Sequence, residues 1–234
     1  MIPASFLKHL DELRSRGLKC FFSWVVCFLA VYPQMDHLLK FLIRPVGHVV
    51  FTAPAAAFTA EIRLALAIGF LLASPVIFYQ VWRFVSTALK PQEYKFVRIF
   101  APLSFICFLA GAFFAYFVVI PFSLHFFLGF GSSVLLPMIT VENYIGFFVS
   151  MLLAFGCVFE MPLILIFLTA IGIATPAFLI QKRKHALIGL LILSAVITPP
   201  DVFSMLVMVV PLALLYEIGI WASHVTWQKK WKDE

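Results

Sequence analysis

The stretch YQVWRFVSTALKPQEYKFVR, Tyr79 to Arg98, is a polar, cationic interval between two long apolar runs. Arg83, Lys90, Lys95 and Arg98 surround a single carboxylate there, Glu93. Set between runs that approach the length a bilayer requires, such an interval reads as a loop joining two membrane-crossing helices. The same alternation of apolar run and polar break repeats outward in both directions.

Composition supports that reading. With 63% hydrophobic and 12% charged residues and a mean hydropathy of +1.05, the 234-residue chain has too little charge to cover a water-soluble core. Backbone inside hydrocarbon must satisfy its own hydrogen bonds, and Leu/Phe/Ala-rich runs without strict alternation do so as helices, not as barrel strands. The expected fold is an all-α, polytopic integral membrane protein forming one domain over residues 1–234. Six transmembrane helices are expected at about 19–33, 62–84, 96–121, 144–170, 186–197 and 202–223.

FLKHLDELRSRGLK at the start is an amphipathic helix with Leu7, Leu10, Leu13 and Leu18 near one side. It is too charged for the apolar core of a secretory signal and is read as mature protein. The first span is short for ~30 Å of hydrocarbon, so helix is expected to continue past one of its ends. Met35 to Val50 is a second amphipathic piece, expected along the membrane surface. FTAPAAAFTAE then reads as a loop, Pro75 as a bend in span two, and GFGSS, in the stretch after Pro121, as a turn. Span five rises only about 20 Å, short of the bilayer core. The TPPD turn after it therefore falls inside the outer leaflet, where Asp201 would cap the last helix unless it has a direct functional role.

Basic residues orient the chain. With the N-terminus inside, the cytoplasmic pieces hold fourteen Lys and Arg and the outside pieces only Lys40, Arg44 and Arg63. That bias puts both termini in the cytoplasm. The net charge of +6 is then accounted for by topology and anionic lipid, without nucleic acid.

Candidate chemistry is sparse. Glu160, in AFGCVFEMP, lies near the middle of span four, where a carboxylate costs about 2.5–3.5 kcal/mol on insertion scales unless protonated or paired. Gly156 permits close helix approach and Pro162 frees a backbone carbonyl. Glu160 is therefore either an acid donating to that carbonyl or a site within the membrane for a proton, an ion or a polar peptide. Glu12 with Arg16 is at least an i,i+4 pair, and Glu93 at least offsets Lys90 and Lys95. The alternative is that both acids await a cationic ligand, since guanidinium groups bind carboxylates bidentately. The four cysteines form no CxxC pair and the six histidines no ligand set, so no metal and no cofactor is expected. HExxH, GxSxG and phosphate-loop motifs are absent, which argues against an enzyme.

Five segments together resemble the TatC family, the multi-span receptor subunit of the twin-arginine protein translocase. They are HLDELRSR (His9 to Arg16), SPVIFYQVWRF (Ser74 to Phe84) with Glu93 following, FAYFVVIPF (Phe114 to Phe122), AFGCVFEMP (Ala154 to Pro162) and TPPDVFS (Thr198 to Ser204). The resemblance implies that Glu12 and Glu93 recognise the paired arginines of a signal peptide on a folded cargo, with Arg14 and Phe84 in the same cytoplasmic region. It implies that Glu160 faces a concave, partly hydrated face, and that Pro199, Pro200 and Asp201 form a periplasmic turn and partner contact. The implied partners are TatA-like and TatB-like single-span subunits and further copies of the chain. Transport would run on proton-motive force in the plasma (inner) membrane of a bacterium. Thr87 stands where the family usually has Pro, Gly17 where Leu is common, and Met205 where relatives often carry Gln. The rival class is a small-solute or ion carrier built on Glu160 and the TPPD break; an internal repeat would favour it, and none is evident.

Overall fold

The structure is a computed structural model that describes residues 4–44, 46–87, 95–130, 138–197 and 202–230. The regular elements among them are helical: α1 (Ala4–Val31), α2 (Met35–Ile43), α3 (Ala56–Thr87), α4 (Lys95–Phe114), α5 (Ile120–Leu128), α6 (Val141–Val158), α7 (Met161–Ala170), α8 (Pro176–Gln181), α9 (Arg183–Ile197) and α10 (Val202–Lys230). Five stretches among the described residues are long and apolar enough to cross a membrane: His9–Ile43, Ala56–Ser86, Arg98–Leu128, Val141–Ala170 and Met208–Gln228. The remaining expected span, the fifth, corresponds to α9, whose 15 residues rise about 22 Å.

The chain forms two compact units, one of Met1–Ile106 with Gly131–Val149 and one of Cys107–Phe130 with Ser150–Glu234. In the first, α1 packs along α3. The Trp24 indole donates to the Leu66 carbonyl at 2.9 Å, and its ring meets Phe70 edge-on at 6.3 Å. A Cβ on Gly69 would lie 2.9 Å from the Phe28 backbone, so glycine is what lets the two helices approach. Ala60, Leu64, Ala65 and Ser74 on α3 are fully buried or nearly so. At the other end of α3, the Trp82 indole donates to Ser104 Oγ at 2.7 Å and stacks obliquely on Phe100, joining α3 to α4. The loop after α2 is pinned as well. Val50 N–H donates to the Ile139 carbonyl at 3.0 Å, Val141 N–H to the Val50 carbonyl at 2.9 Å, and the Tyr144 hydroxyl to the Leu42 carbonyl at 2.6 Å.

In the second unit the backbones of α4 and α6 touch. A Cβ on Gly111 would stand 2.3 Å from the Phe155 carbonyl oxygen, and one on Gly156 would stand 2.5 Å from the Phe108 ring. Phe114 packs against Phe155 and Phe159 at 5.7 and 5.5 Å. Gly219 of α10 sits against Pro162 and Leu165 of α7 in the same way. Helix α7 ends on Gly172, at φ 83°, with Ile173 N–H reaching the Leu168 carbonyl and Gly172 N–H the Thr169 carbonyl. That left-handed glycine cap stops the helix cleanly. Thr175 Oγ1 then accepts from Phe178 N–H to start α8.

Some expectations hold and others need correcting. Span one does continue past its N-terminal end, as its length required: it and the amphipathic helix are one element, α1, running through Gly17. On α2, Met35 and Leu42 are buried within the first unit, where the Tyr144 hydroxyl bonds the Leu42 carbonyl, while Phe41 is exposed. The second half of FTAPAAAFTAE is already helix, because Pro54 precedes a run of alanines and stands just before the first turn of α3. Span three does not stop at Pro121. A π-helical turn, Ala115–Val119, donates Ile120 N–H to the Ala115 carbonyl, and α5 carries on to Leu128. The proline falls where the hydrogen-bond register changes, so its missing amide interrupts little. Span four is helical at both ends and broken at Phe159 and Glu160.

Candidate functional site

Glu12 lies on α1, and its Oε1 accepts from Arg16 Nη2 one turn along. Arg16 is the more enclosed partner, its side chain 13% exposed against 30% for Glu12. Arg14 is exposed on the same turn. Phe84 is half-buried near the end of α3. The contacts of Trp24 with Leu66 and Phe70 and of Phe28 with Gly69 hold the second half of α1 against the middle of α3. Glu93 lies outside the described residues. Arg83, which the loop contributes as a cation, is occupied locally: its Nη1 is 3.3 Å from the Tyr79 hydroxyl, and its guanidinium lies 5.9 Å from that ring's centre.

Glu160 is 8% exposed and stands at the junction of α6 and α7. Its carboxylate does not cap α7. Its N–H reaches back three residues to the Cys157 carbonyl at 3.1 Å, and its carbonyl accepts from Ile164 N–H at 2.9 Å. Pro162 supplies no amide for the Val158 carbonyl, which is the local reason the helix opens here. Pro199, Pro200 and Asp201 lie outside the described residues. At Met205, the Gln-to-Met difference leaves a polar contact through the backbone, since the Ser194 hydroxyl donates to the Met205 carbonyl at 2.8 Å.

One acidic residue was passed over in the sequence. Glu217, inside the apolar stretch of α10, accepts from Arg183 Nη2 at 2.7 Å, and the adjacent Tyr216 hydroxyl donates to the Leu179 carbonyl at 2.9 Å. The pair ties α10 to the α8–α9 junction. The signal was the one that identified Glu160, a carboxylate within an apolar run, but its partner stands 34 residues away. Among the described residues no cluster of three or more His, Cys, Asp or Glu is arranged to hold a metal.

Residues 8–211 match the family model described as Sec-independent protein translocase protein (TatC). The chain belongs to the TatC family. Relatives include the Sec-independent protein translocase protein TatC of Carboxydothermus hydrogenoformans, 37% identical over 99% of this chain and 98% of its own length. That of Desulforapulum autotrophicum is 39% identical over 98% and 87%. A crystal structure titled as the twin-arginine translocase receptor TatC superposes with a TM-score of 0.84 at 34% identity, covering 93% of this chain and 99% of that one. The family is one of protein-translocase subunits and not of enzymes, working with other Tat subunits. Bacterial relatives and membrane-length helices make this a multi-pass protein of the bacterial inner membrane. The carrier alternative finds no support among these relatives.

Proposed function

We propose that the chain acts as one membrane domain, both termini cytoplasmic, that receives twin-arginine signal peptides of folded proteins and nucleates the translocon. Glu12 and Glu93 take the peptide's two guanidinium groups, and Arg14 and Phe84 border them. The observation that carries this reading is the Glu12 carboxylate, which already engages a guanidinium, that of Arg16. A carboxylate that takes one guanidinium is chemically suited to take another, and a bidentate one more strongly. Glu160 serves as an intramembrane polar site, and Pro199, Pro200 and Asp201 as a turn that meets TatA-like or TatB-like single-span subunits. Several copies assemble, and proton-motive force drives transport.

The test is photo-crosslinking of a twin-arginine peptide to the purified chain. Glu12→Ala with Glu93→Ala is expected to lower the yield at least tenfold, and a twin-lysine peptide should crosslink poorly to the unaltered chain. Undiminished crosslinking of the double variant would refute the receptor role assigned to these acids.

A further inference from the structure

Arg16 is not an ordinary surface partner. It holds Glu12 by one nitrogen, Nη2, while Nη1 is buried and has no hydrogen-bond partner among the described residues. A guanidinium carries five donors in a rigid fork, and its strong arrangement with a carboxylate is bidentate. A one-pronged contact that strands a buried donor is a weak hold on a carboxylate, because that donor has lost its water without gaining an acceptor. Both groups project from neighbouring turns of one helix, α1, so their pairing is a local i,i+4 contact.

Resting on the receptor reading above, we infer that Arg16 is a resident competitor for Glu12. It is a guanidinium of the chain's own that occupies the carboxylate until a peptide guanidinium displaces it. Binding is then an exchange of one guanidinium for another. Only a ligand able to take Glu12 bidentately outdoes the occupant, and single weak cations are kept below useful occupancy. The opposite role, Arg16 as an organiser that holds Glu12 ready, uses the same contact and predicts the opposite sign.

The experiment measures anisotropy of a fluorescent twin-arginine peptide titrated with the full chain in lipid nanodiscs. Arg16→Gln is expected to tighten binding about two- to fivefold, the range an exposed-to-half-buried ion pair commands. Arg16→Lys, a poorer fork, should fall between. In a Glu12→Gln background the Arg16→Gln change is expected to have no effect. Unchanged or weaker binding in Arg16→Gln overturns the exchange, and so does an equal gain in the Glu12→Gln background, which would trace to net charge alone. Should Arg16→Gln not yield folded protein, Arg16→Lys decides by the same signs. A peptide that does not bind the unaltered chain removes the receptor reading itself, whereas binding without the gain removes only the exchange.

Discussion

Pro75 and Pro162 each stand inside a membrane-length stretch, and the chain treats them differently. At Pro75, α3 continues unbroken from Ala56 to Thr87. At Pro162 the span divides into α6 and α7, with Phe159 and Glu160 in a turn. The carbonyl orphaned by Pro75 is that of Leu71, and the buried Ser74 hydroxyl donates to it at 2.6 Å. The neighbouring side chain thus replaces the missing amide. Pro102 and Pro211 also lie within unbroken helices, so a proline by itself does not decide a break. What Pro162 adds is coincidence: just upstream, Phe155 and Gly156 are clamped against Phe108 and Gly111 of α4. A helix fixed on one side and deprived of a hydrogen bond on the next turn opens there. The difference has a use. One proline is passed over so that α3 reaches Phe84 intact, and the other turns Glu160 into a residue at a joint.

The largest expected effect comes from the clamp. Gly111→Val would press a branched side chain into the Phe155 carbonyl, where even a Cβ has only 2.3 Å. A destabilisation of about 4 kcal/mol is expected, because the obstacle is backbone and cannot swing aside. Thermal unfolding followed by size-exclusion chromatography in detergent checks it; a variant as heat-stable as the parent would show the crossing to be loose. Next is the joint itself. Glu160→Lys places an ammonium at an apolar, 8% exposed position and is expected to cost about 3 kcal/mol, whereas neutral, near-isosteric Glu160→Gln should stay within about 1 kcal/mol. The same assay ranks the two, and equal losses would mean that shape, not charge, matters at the break.

Much of this was readable beforehand, for reasons that differ by residue. The apolar runs announced the spans because lipid leaves the backbone little choice but helix. Glu12 and Arg16 were readable as a pair since both partners lie one turn apart, and Glu160 stood out as a lone carboxylate in an apolar run. The α7 end and the joint were harder, since they depend on Gly172 reaching φ 83° and on Gly111 meeting Phe155 across helices 44 positions apart in sequence. Arg183 and Glu217 went unpaired for the same reason. For α2, amphipathicity told that one face is covered but not that Met35 and Leu42 would be covered by the chain itself.

The smallest effect tests the replacement of an amide by a hydroxyl. Ser74→Ala leaves the Leu71 carbonyl without its donor and is expected to cost about 1 kcal/mol, the usual net worth of such a bond. The decisive form is a double-mutant cycle with Pro75→Ala. Alanine at 75 restores the backbone amide to Leu71, so Ser74→Ala should then cost less, with a coupling of about 0.5–1 kcal/mol. If the two changes simply add, the serine is doing no more than filling space beside the α1–α3 contact. The continuity of α3 would then need the explanation that serves Pro102 and Pro211, namely that neighbouring helices hold the rod straight from outside.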